Sequence, residues 1–333
     1  MVLIPNSATR SSELNSFDAR LFCLLRDCYF EPTSTAVRRP APKDVAGMLQ
    51  ANVRTVNARV RKWERGGFIK YYQLVPNYRL LGIRSTSILL GVEDPLAKPK
   101  ALERISLVDG VTSVMDFLGE HILVWVAYHD EDELARREAL LAEISGSKRP
   151  ERFMDEPFGP VDMRLTELDW QILRSLRHDA RKPVTRVAQD LGVTRKTVSL
   201  HLERLVRSNA FFVRTIFDVT RVKGLLFYGL AISLDDSVRE ATLKSLDEVV
   251  TCSVNCFIRM ATRTGSVFFA LWSEDLQGVE DTMLKARKIR GVKKVDVWLY
   301  KRVKEYPQMI DRLMERKSSE VVRGKQELSP VPR

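Results

Sequence analysis

A set of polar and basic side chains recurs at the spacing of one helix face in two stretches of the sequence. Its members are Arg54, Asn57, Arg61 and Arg65, flanked by Arg59 and Lys62, and then Thr194, Arg195, Lys196, Ser199 and Arg207. Arginine can reach both acceptors of guanine and asparagine can pair with adenine, while other cations contact phosphate. These residue types predict two helices that bind double-stranded DNA. A solvated surface helix also carries Lys and Arg, and this stays the alternative interpretation.

Position along such a helix separates base contacts from backbone contacts. Bases are usually read by its N-terminal part. We therefore expect Arg195, Lys196 and Ser199 to specify the DNA sequence. Arg204 and Arg207 come later, and we expect them to contact backbone phosphate or solvent.

The net charge of +11 is concentrated in two blocks. Residues 14–84 carry +8 and residues 165–224 carry +6, whereas residues 85–146 carry −7 and residues 225–300 are neutral. Two modules that meet a polyanion, each followed by a module with another task, would produce this order. Solvated surface would explain the charge without any partner.

The chain repeats itself, which predicts a duplication. A shift of 142 residues lays Val45 and Leu49 on Val187 and Leu191, and the match persists for about forty residues. Upstream the shift becomes 151, so the first copy has nine extra residues between its first two helices. Pro, Ser and Thr in residues 31–40 mark this insertion as a loop.

The second copy shows the signals of three helices. Thr166 can cap the first helix, with Asp169 three positions on as its reciprocal partner. Residues 184–191 predict a second helix, and Gly192 can adopt the left-handed turn that follows it. Thr194 is then an N-cap type for the third helix. This order is that of a helix-turn-helix.

The first copy keeps the same frame with a weaker turn. Asn15 and Asn52 are N-cap types, but Gln50 stands where the turn glycine belongs. Apolar residues alternate after each third helix, over residues 68–72 and 211–214. Each of these segments predicts a two-stranded wing.

The less basic blocks predict two ferredoxin-like domains. Residues 85–158 and 225–302 each show the order βαββαβ. In the first block the last strand is weak and lies near residues 152–158. A four-stranded sheet with both helices on one side leaves its other face bare, and a bare face needs a cover.

The segment from Leu165-Thr-Glu-Leu-Asp-Trp to Val187-Ala188-Gln-Asp-Leu-Gly-Val-Thr-Arg-Lys-Thr-Val-Ser resembles the N-terminal winged helix of the Lrp/AsnC (feast/famine) transcription regulators. The resemblance implies a DNA-binding regulator in which a ferredoxin-like domain follows each winged helix, for dimerisation and effector binding. The expected fold is therefore α+β, with winged helix-turn-helix domains at 14–80 and 165–222 alternating with ferredoxin-like domains at 85–158 and 225–302. We expect the two halves to pair within one chain.

The resemblance leaves the effector open. Family members that sense amino acids usually carry a Gly-x-Tyr-Asp-like turn between the second and third strands. Here the turns read Gly119-Glu120-His121 and Thr264-Gly265-Ser266, so either the effector differs or there is none. His121 and His129 fit ordinary strand ends better than ligands.

The resemblance also includes an enzymatic alternative, the siroheme decarboxylases, in which paired AsnC-like halves enclose a tetrapyrrole and use His and Arg. The second ferredoxin-like block contains no His, so we predict that the chain is not an enzyme. We expect no cofactor and no metal, because Cys23, Cys28, Cys252 and Cys256 lack metal-ligand spacing and fit small core residues.

The remaining expectations concern location and partners. No apolar run is long enough to cross a bilayer and the N-terminus lacks a secretory signal, so we expect a cytoplasmic protein without membrane contact. Self-association beyond one chain stays open. Residues 314–333 are charged and punctuated by Pro and Ser, which predicts a disordered tail.

Overall fold

The computed structural model describes residues 12–13, 16–26, 42–153, 159–161, 163–251, 256–262 and 265–327. Its helices are α1 (Ser16–Arg26), α2 (Pro42–Met48), α3 (Val53–Arg65), α4 (Tyr78–Leu81), α5 (Lys98–Ile105), α6 (Glu131–Ser145), α7 (Glu167–Leu176), α8 (Val184–Leu191), α9 (Arg195–Arg207), α10 (Arg239–Leu246), α11 (Leu276–Arg287) and α12 (Gln308–Glu327). Its strands are β1 (Ser12–Glu13), β2 (Ile69–Pro76), β3 (Arg84–Gly91), β4 (Val111–Phe117), β5 (His121–Tyr128), β6 (Glu151–Phe153), β7 (Phe211–Phe217), β8 (Val222–Lys223), β9 (Leu226–Leu234), β10 (Cys256–Ala261), β11 (Ser266–Ser273) and β12 (Val292–Glu305). The predicted mixture of helices and strands is confirmed.

The second helix-turn-helix forms as its local signals predict. The Thr166 hydroxyl accepts the N–H of Asp169 at 3.2 Å, and the Asp169 carboxylate accepts the N–H of Thr166 at 2.7 Å, which closes the capping box. Gly192 adopts a φ of 65° at the turn. Thr194 caps α9 by accepting the N–H of Thr197 at 3.1 Å.

The first helix-turn-helix uses the same frame. Asn52 caps α3 by accepting the N–H of Arg54 at 2.8 Å, and Trp63 is buried on the inner face of this helix. Gln50 takes a φ of 52°, in the left-handed region where the second copy has glycine. The predicted cap at Asn15 lies outside the described residues.

The two helical modules share one apolar core and one ribbon. The sequence predicts a two-stranded wing in each copy, but β2 instead pairs antiparallel with β7, and Pro76 lies opposite Phe211. The wing prediction is wrong because each segment supplies only one strand before the chain turns into its next element. Phe22, Phe68 and Phe217 pack around this ribbon with ring centroids 4.6 to 5.8 Å apart.

An eight-stranded sheet forms the other layer, in the order β10-β11-β9-β12-β4-β5-β3-β6. The strands of each βαββαβ segment lie together, and β12 joins the two halves. Its first part pairs with β9, and residues 300–305 continue antiparallel to β4. The last strand of the first half, β6, spans only Glu151–Phe153, and residues 154–158 of its predicted range lie outside the described residues.

The helix-free faces of the two half-sheets pack against each other. Phe117 and Leu123 from the first half share an apolar cluster with Met260 and Phe268 from the second. The Ser87 hydroxyl donates to Met260 Sδ across this interface at 3.1 Å. The two uncovered faces therefore bury one another. The boundaries of the four predicted domains remain predictions.

Helix α12 corrects the prediction of a disordered tail. It buries Met309, Ile310 and Met314 in the core of the helical modules. Asp311 of α12 also accepts a hydrogen bond from Arg177 Nε at 2.8 Å. The prediction is wrong for residues 314–327 because an apolar stripe, masked by charge in the sequence, finds its partner only in the folded chain. Residues 328–333 lie outside the described part.

Candidate nucleic-acid interface and sheet junction

The inner face of each third helix is attached to the first helix of its module through a buried aspartate. Asp169 lies 2.7 Å from His201 Nδ1 and also forms an ion pair with Arg204. In the first module, Arg59 Nε lies 2.8 Å from buried Asp18. Arg59 therefore holds α3 in place. The sequence analysis placed it at the flank of the outer face, and the structure corrects that placement.

The partners of the Asp169 carboxylate stabilise its ionised form. Burial opposes its ionisation, but hydrogen bonds from Thr166, His201 and Arg204 lower the pKa of Asp169 below its usual value of 3.8. A charged Asp169 fixes the angle between α7 and α9. This attachment leaves the opposite face of α9 free to meet a partner.

The residues predicted to read DNA in the second module lie at the start of α9. Thr194, Arg195 and Lys196 are exposed and Ser199 is half-buried. Among the described residues, no carboxylate lies within ion-pair distance of Arg195 or Lys196. These two cations can therefore bind an anionic partner without first breaking an ion pair within the described residues.

The corresponding residues of the first module lie along α3. Arg54, Arg61 and Arg65 are exposed and Asn57 is half-buried. Arg65 Nε donates to the backbone carbonyl of Arg61 at 3.3 Å, and the four-residue spacing places both side chains on one face of the helix. Both sets thus lie on third helices, and their contact with DNA remains a prediction.

A second cluster lies where the two half-sheets join, and sequence reasoning missed most of it. Lys98 Nζ lies 2.9 Å from Asp116 Oδ1, and Arg302 Nε lies 3.1 Å from Asp116 Oδ2. Asp116 is only 1% exposed. Lys98 also donates to the carbonyls of Phe117 and Gly119. A single lysine at the start of a helix is ordinarily expected to be exposed to solvent, so no local signal in the sequence indicated this site.

His121 adds an aromatic and titratable group to this sheet junction, which consists of Lys98, Asp116, His121, Trp298, Lys301 and Arg302. Its ring stacks on Trp298 of β12, with centroids 4.1 Å apart and planes inclined by 16°. Burial lowers the pKa of His121 below its ordinary value of 6.5, and the charge of Lys98 adds to this shift. The imidazole is therefore neutral at physiological pH, while the guanidinium of Arg302 is half exposed beside it.

The remaining titratable groups point to no metal centre. No three His, Cys, Asp or Glu side chains within the described ranges come together at metal-binding distance. The side chains of Cys23, Cys28, Cys252 and Cys256 lie outside the described part, so their interpretation as core residues stays a prediction. Across the described helices, none combines the length and apolar character that a membrane crossing requires.

The geometry defines a protein with two helix-turn-helix modules above a sandwich of two βαββαβ half-sheets. Residues 165–206 match the AsnC-type helix-turn-helix domain. The resemblance to the Lrp/AsnC regulators is confirmed over this segment. No curated protein matches the chain in sequence.

Two solved structures of one enzyme share this fold over most of the chain. The crystal structure of the siroheme decarboxylase NirDL is 12% identical, with a TM-score of 0.54, and the match covers 92% of this chain and 100% of that one. The same enzyme in complex with an iron-uroporphyrin III analogue matches over the same shares, at 12% identity and a TM-score of 0.53. E. coli AsnC is 16% identical over 41% of this chain and 92% of that one, with a TM-score of 0.34.

The sequence-based exclusion of an enzyme is wrong. It relied on the absence of His from the second βαββαβ segment, yet the chain shares its fold over 92% of its length with a siroheme decarboxylase. The physical reason is the extension of β12 along β4. This strand places Trp298 of the second half against His121 of the first, and Arg302 against Asp116, which also binds Lys98.

Proposed function

We propose that the chain binds double-stranded DNA through α9 and α3 and regulates transcription. The observation that carries this proposal is the exposed pair Arg195 and Lys196 at the start of α9, without a carboxylate partner among the described residues. A capped helix with a packed inner face and a cationic N-terminal part fits the major groove and the phosphates beside it. The AsnC-type match over residues 165–206 supports this use of α9.

The proposal includes an internal pairing of the two heads. The shared core and the β2–β7 ribbon join the helical modules, so one chain presents two third helices without the association entropy that a second subunit would lose. A small-molecule effector and further self-association are compatible with this arrangement. The smallest DNA-binding unit is one chain.

A pair of matched variants tests the DNA proposal. Arg195→Ala should weaken binding to a selected DNA site by about 1–3 kcal/mol and relax preference at one base position, because a bidentate base contact is lost. Arg136→Ala is the control, since Arg136 is an exposed arginine of α6 in the acidic block. Fluorescence anisotropy with randomised and selected duplexes measures both. Equal affinity of wild type and Arg195→Ala for every duplex would contradict the assignment.

A second candidate function is catalysis on a carboxylated tetrapyrrole at the sheet junction. The likeness to NirDL over 92% of the chain favours it, and NirDL is described as a siroheme decarboxylase. At this junction Arg302 and Lys301 would bind a substrate carboxylate, and the indole of Trp298 offers an apolar face. Loss of CO₂ leaves an electron pair on carbon that must take up a proton. The His121 imidazole, which is neutral at rest, would take up a proton from solvent and pass it to this carbon.

The test separates substrate binding from turnover. Iron uroporphyrin III is titrated into the protein while the visible spectrum is recorded, and CO₂ is then followed by mass spectrometry. His121→Gln should retain the spectral change and lose CO₂ release. His129→Gln should retain both, because His129 is an exposed strand-end residue beside Glu133. No spectral change with the wild-type protein would end this candidate and leave the DNA proposal intact.

A further inference from the structure

A pocket of about 700 Å³, largely open to solvent, lies against the outer face of α9, away from the sheet junction. One wall is the second half of α9 and the other is the chain segment that enters α7. This volume is within the range of small-molecule sites, roughly 300–1,000 Å³. The helix proposed to meet DNA therefore carries a cavity of ligand size on the same face.

The walls of this pocket are fixed by a residue from the first half of the chain. The amide nitrogen of Asn77 donates to the carbonyl of Gly159 and to that of Asn209, both at 3.0 Å. Asn77 is 1% exposed. The Ser208 hydroxyl also contacts Met163 Sδ at 2.5 Å, which ties the end of α9 to the entering segment. The pocket is thus a built feature of the packed molecule.

The lining combines apolar surface with three arginines and one carboxylate, that of Glu203. Met163 and Leu200 supply apolar surface, and Leu200 is 57% exposed. Arg164 and Arg207 also line the pocket, and neither forms an ion pair with a carboxylate of the described residues. The third arginine in the lining, Arg204, is already bound to Asp169. With Arg204 paired, the lining retains two guanidinium groups against the one carboxylate of Glu203, and this excess of positive charge favours an anionic ligand.

The first module lacks this combination. The 142-residue shift places Ala58 at the position of Leu200 and Arg65 at the position of Arg207. The cation is kept in both copies, whereas the large apolar side chain is present only in the second. DNA phosphate contact would need only the cation. Leu200 therefore indicates a ligand with an apolar body as well as a charge.

We infer that this pocket binds an organic carboxylic acid with an apolar body, with Arg164 and Arg207 at the carboxylate and Leu200 and Met163 against the rest. The ligand neutralises Arg207 and covers the outer face of α9. It should therefore compete with DNA. Only this last step rests on the proposed DNA binding, because the pocket and its charges are independent of it.

The probe is 1-naphthylacetate, compared with its neutral isostere 1-naphthylacetamide by titration calorimetry. The acid should bind about tenfold more tightly than the amide, since bonds between guanidinium and carboxylate are charge-assisted. Inorganic phosphate at equal concentration should not displace it, because phosphate has no apolar body. Equal affinity for acid and amide, or displacement by phosphate, would overturn the inference.

Variants locate the binding. Arg207→Ala and Leu200→Ala should each weaken naphthylacetate binding at least about fivefold, through loss of a charged bond and of apolar contact respectively. Arg65→Ala should change it less than about twofold, because Arg65 is the counterpart of Arg207 in the module without Leu200. Thermal unfolding checks that each variant folds. Unchanged binding in Arg207→Ala would place the ligand elsewhere and refute the site.

A competition experiment then addresses regulation. Naphthylacetate should lower the affinity of the wild-type protein for DNA and should have little effect on the DNA affinity of Leu200→Ala. If the protein binds no DNA at all, the calorimetric result still decides the pocket. If DNA binds and the acid binds without competing, the regulatory step is wrong while the site stands.

Discussion

At the scale of single residues, Asp169 shows how one buried carboxylate can position a functional helix. It closes the cap of α7 and binds His201 and Arg204 of α9, so its charge connects two helices. The counterpart in the first module, Asp18, binds Arg59. The 142-residue shift sets Arg59 against His201, so the same task is performed by an arginine in one copy and a histidine in the other.

This network predicts a pH-dependent stability. The folded-state pKa of Asp169 lies below its usual 3.8, so the stabilisation is complete above that value and is lost as pH falls through the folded-state pKa. Asp169→Asn should lower the free energy of unfolding by roughly 1–3 kcal/mol at neutral pH. The difference from wild type should shrink when the pH is lowered from neutral to below the folded-state pKa of Asp169, because both side chains are then uncharged. Urea unfolding at both pH values measures it, and a constant difference would contradict the ionic role.

At the scale of secondary-structure elements, the turns of the two helix-turn-helix modules can be compared by exchanging their residues at one position. Gln50 and Gly192 occupy the same turn position with φ of 52° and 65°. A side chain in this left-handed region costs about 1 kcal/mol, and a Cβ at Gly192 would meet no atom within 4 Å. Gln50→Gly should therefore stabilise the protein and Gly192→Gln should destabilise it, each by about 1 kcal/mol. Chemical unfolding of both variants checks the opposite signs, and two changes of the same sign would refute the shared geometry.

Helix α12 yields a second prediction at this scale. Ile310 is 1% exposed and packs into the core of the helical modules. Ile310→Ala should lower the free energy of unfolding by about 2–5 kcal/mol, because it leaves a cavity in that core. Arg316→Ala, on the exposed side of the same helix, should change it by less than about 0.5 kcal/mol. Similar small changes in both variants would show that α12 does not contribute to the core.

At the scale of the whole molecule, the shared core fixes the two heads relative to each other. Their outer faces differ, since Arg54 and Asn57 stand on α3 where Lys196 and Ser199 stand on α9. One chain should therefore protect two unlike half-sites about one helical turn apart, and the binding site should not be a palindrome. Footprinting combined with light scattering at the same concentration tests this. A palindromic site that requires two chains would contradict it.

Electrostatics at this scale gives a further expectation for the same DNA complex. The net charge of +11 is largely carried by the two blocks that contain the heads. Affinity should fall steeply as salt rises, because each neutralised phosphate releases condensed counterions. A plot of the logarithm of the binding constant against the logarithm of the salt concentration has a slope that measures the number of phosphate contacts. A salt-independent affinity would refute phosphate-dominated binding.

The sequence by itself determined the elements whose signals are local. The capping box at Thr166, the turn at Gly192 and the apolar stripes of α7 to α9 lie within a few residues of one another, so they could be read before the fold was known. The same holds for the βαββαβ order, in which alternation and helical spacing are properties of short segments. The outer faces of α3 and α9 followed from these elements by periodicity alone.

Only the tertiary structure decided how these elements meet. The pairing of β2 with β7, the docking of α12 and the extension of β12 along β4 join residues more than a hundred positions apart. The sheet junction depends on that last pairing, because it places Trp298 against His121 and Arg302 against Asp116. A strand's local pattern states which side chains it will bury but does not identify the strand it will lie beside, since that choice depends on the combined packing of the whole core.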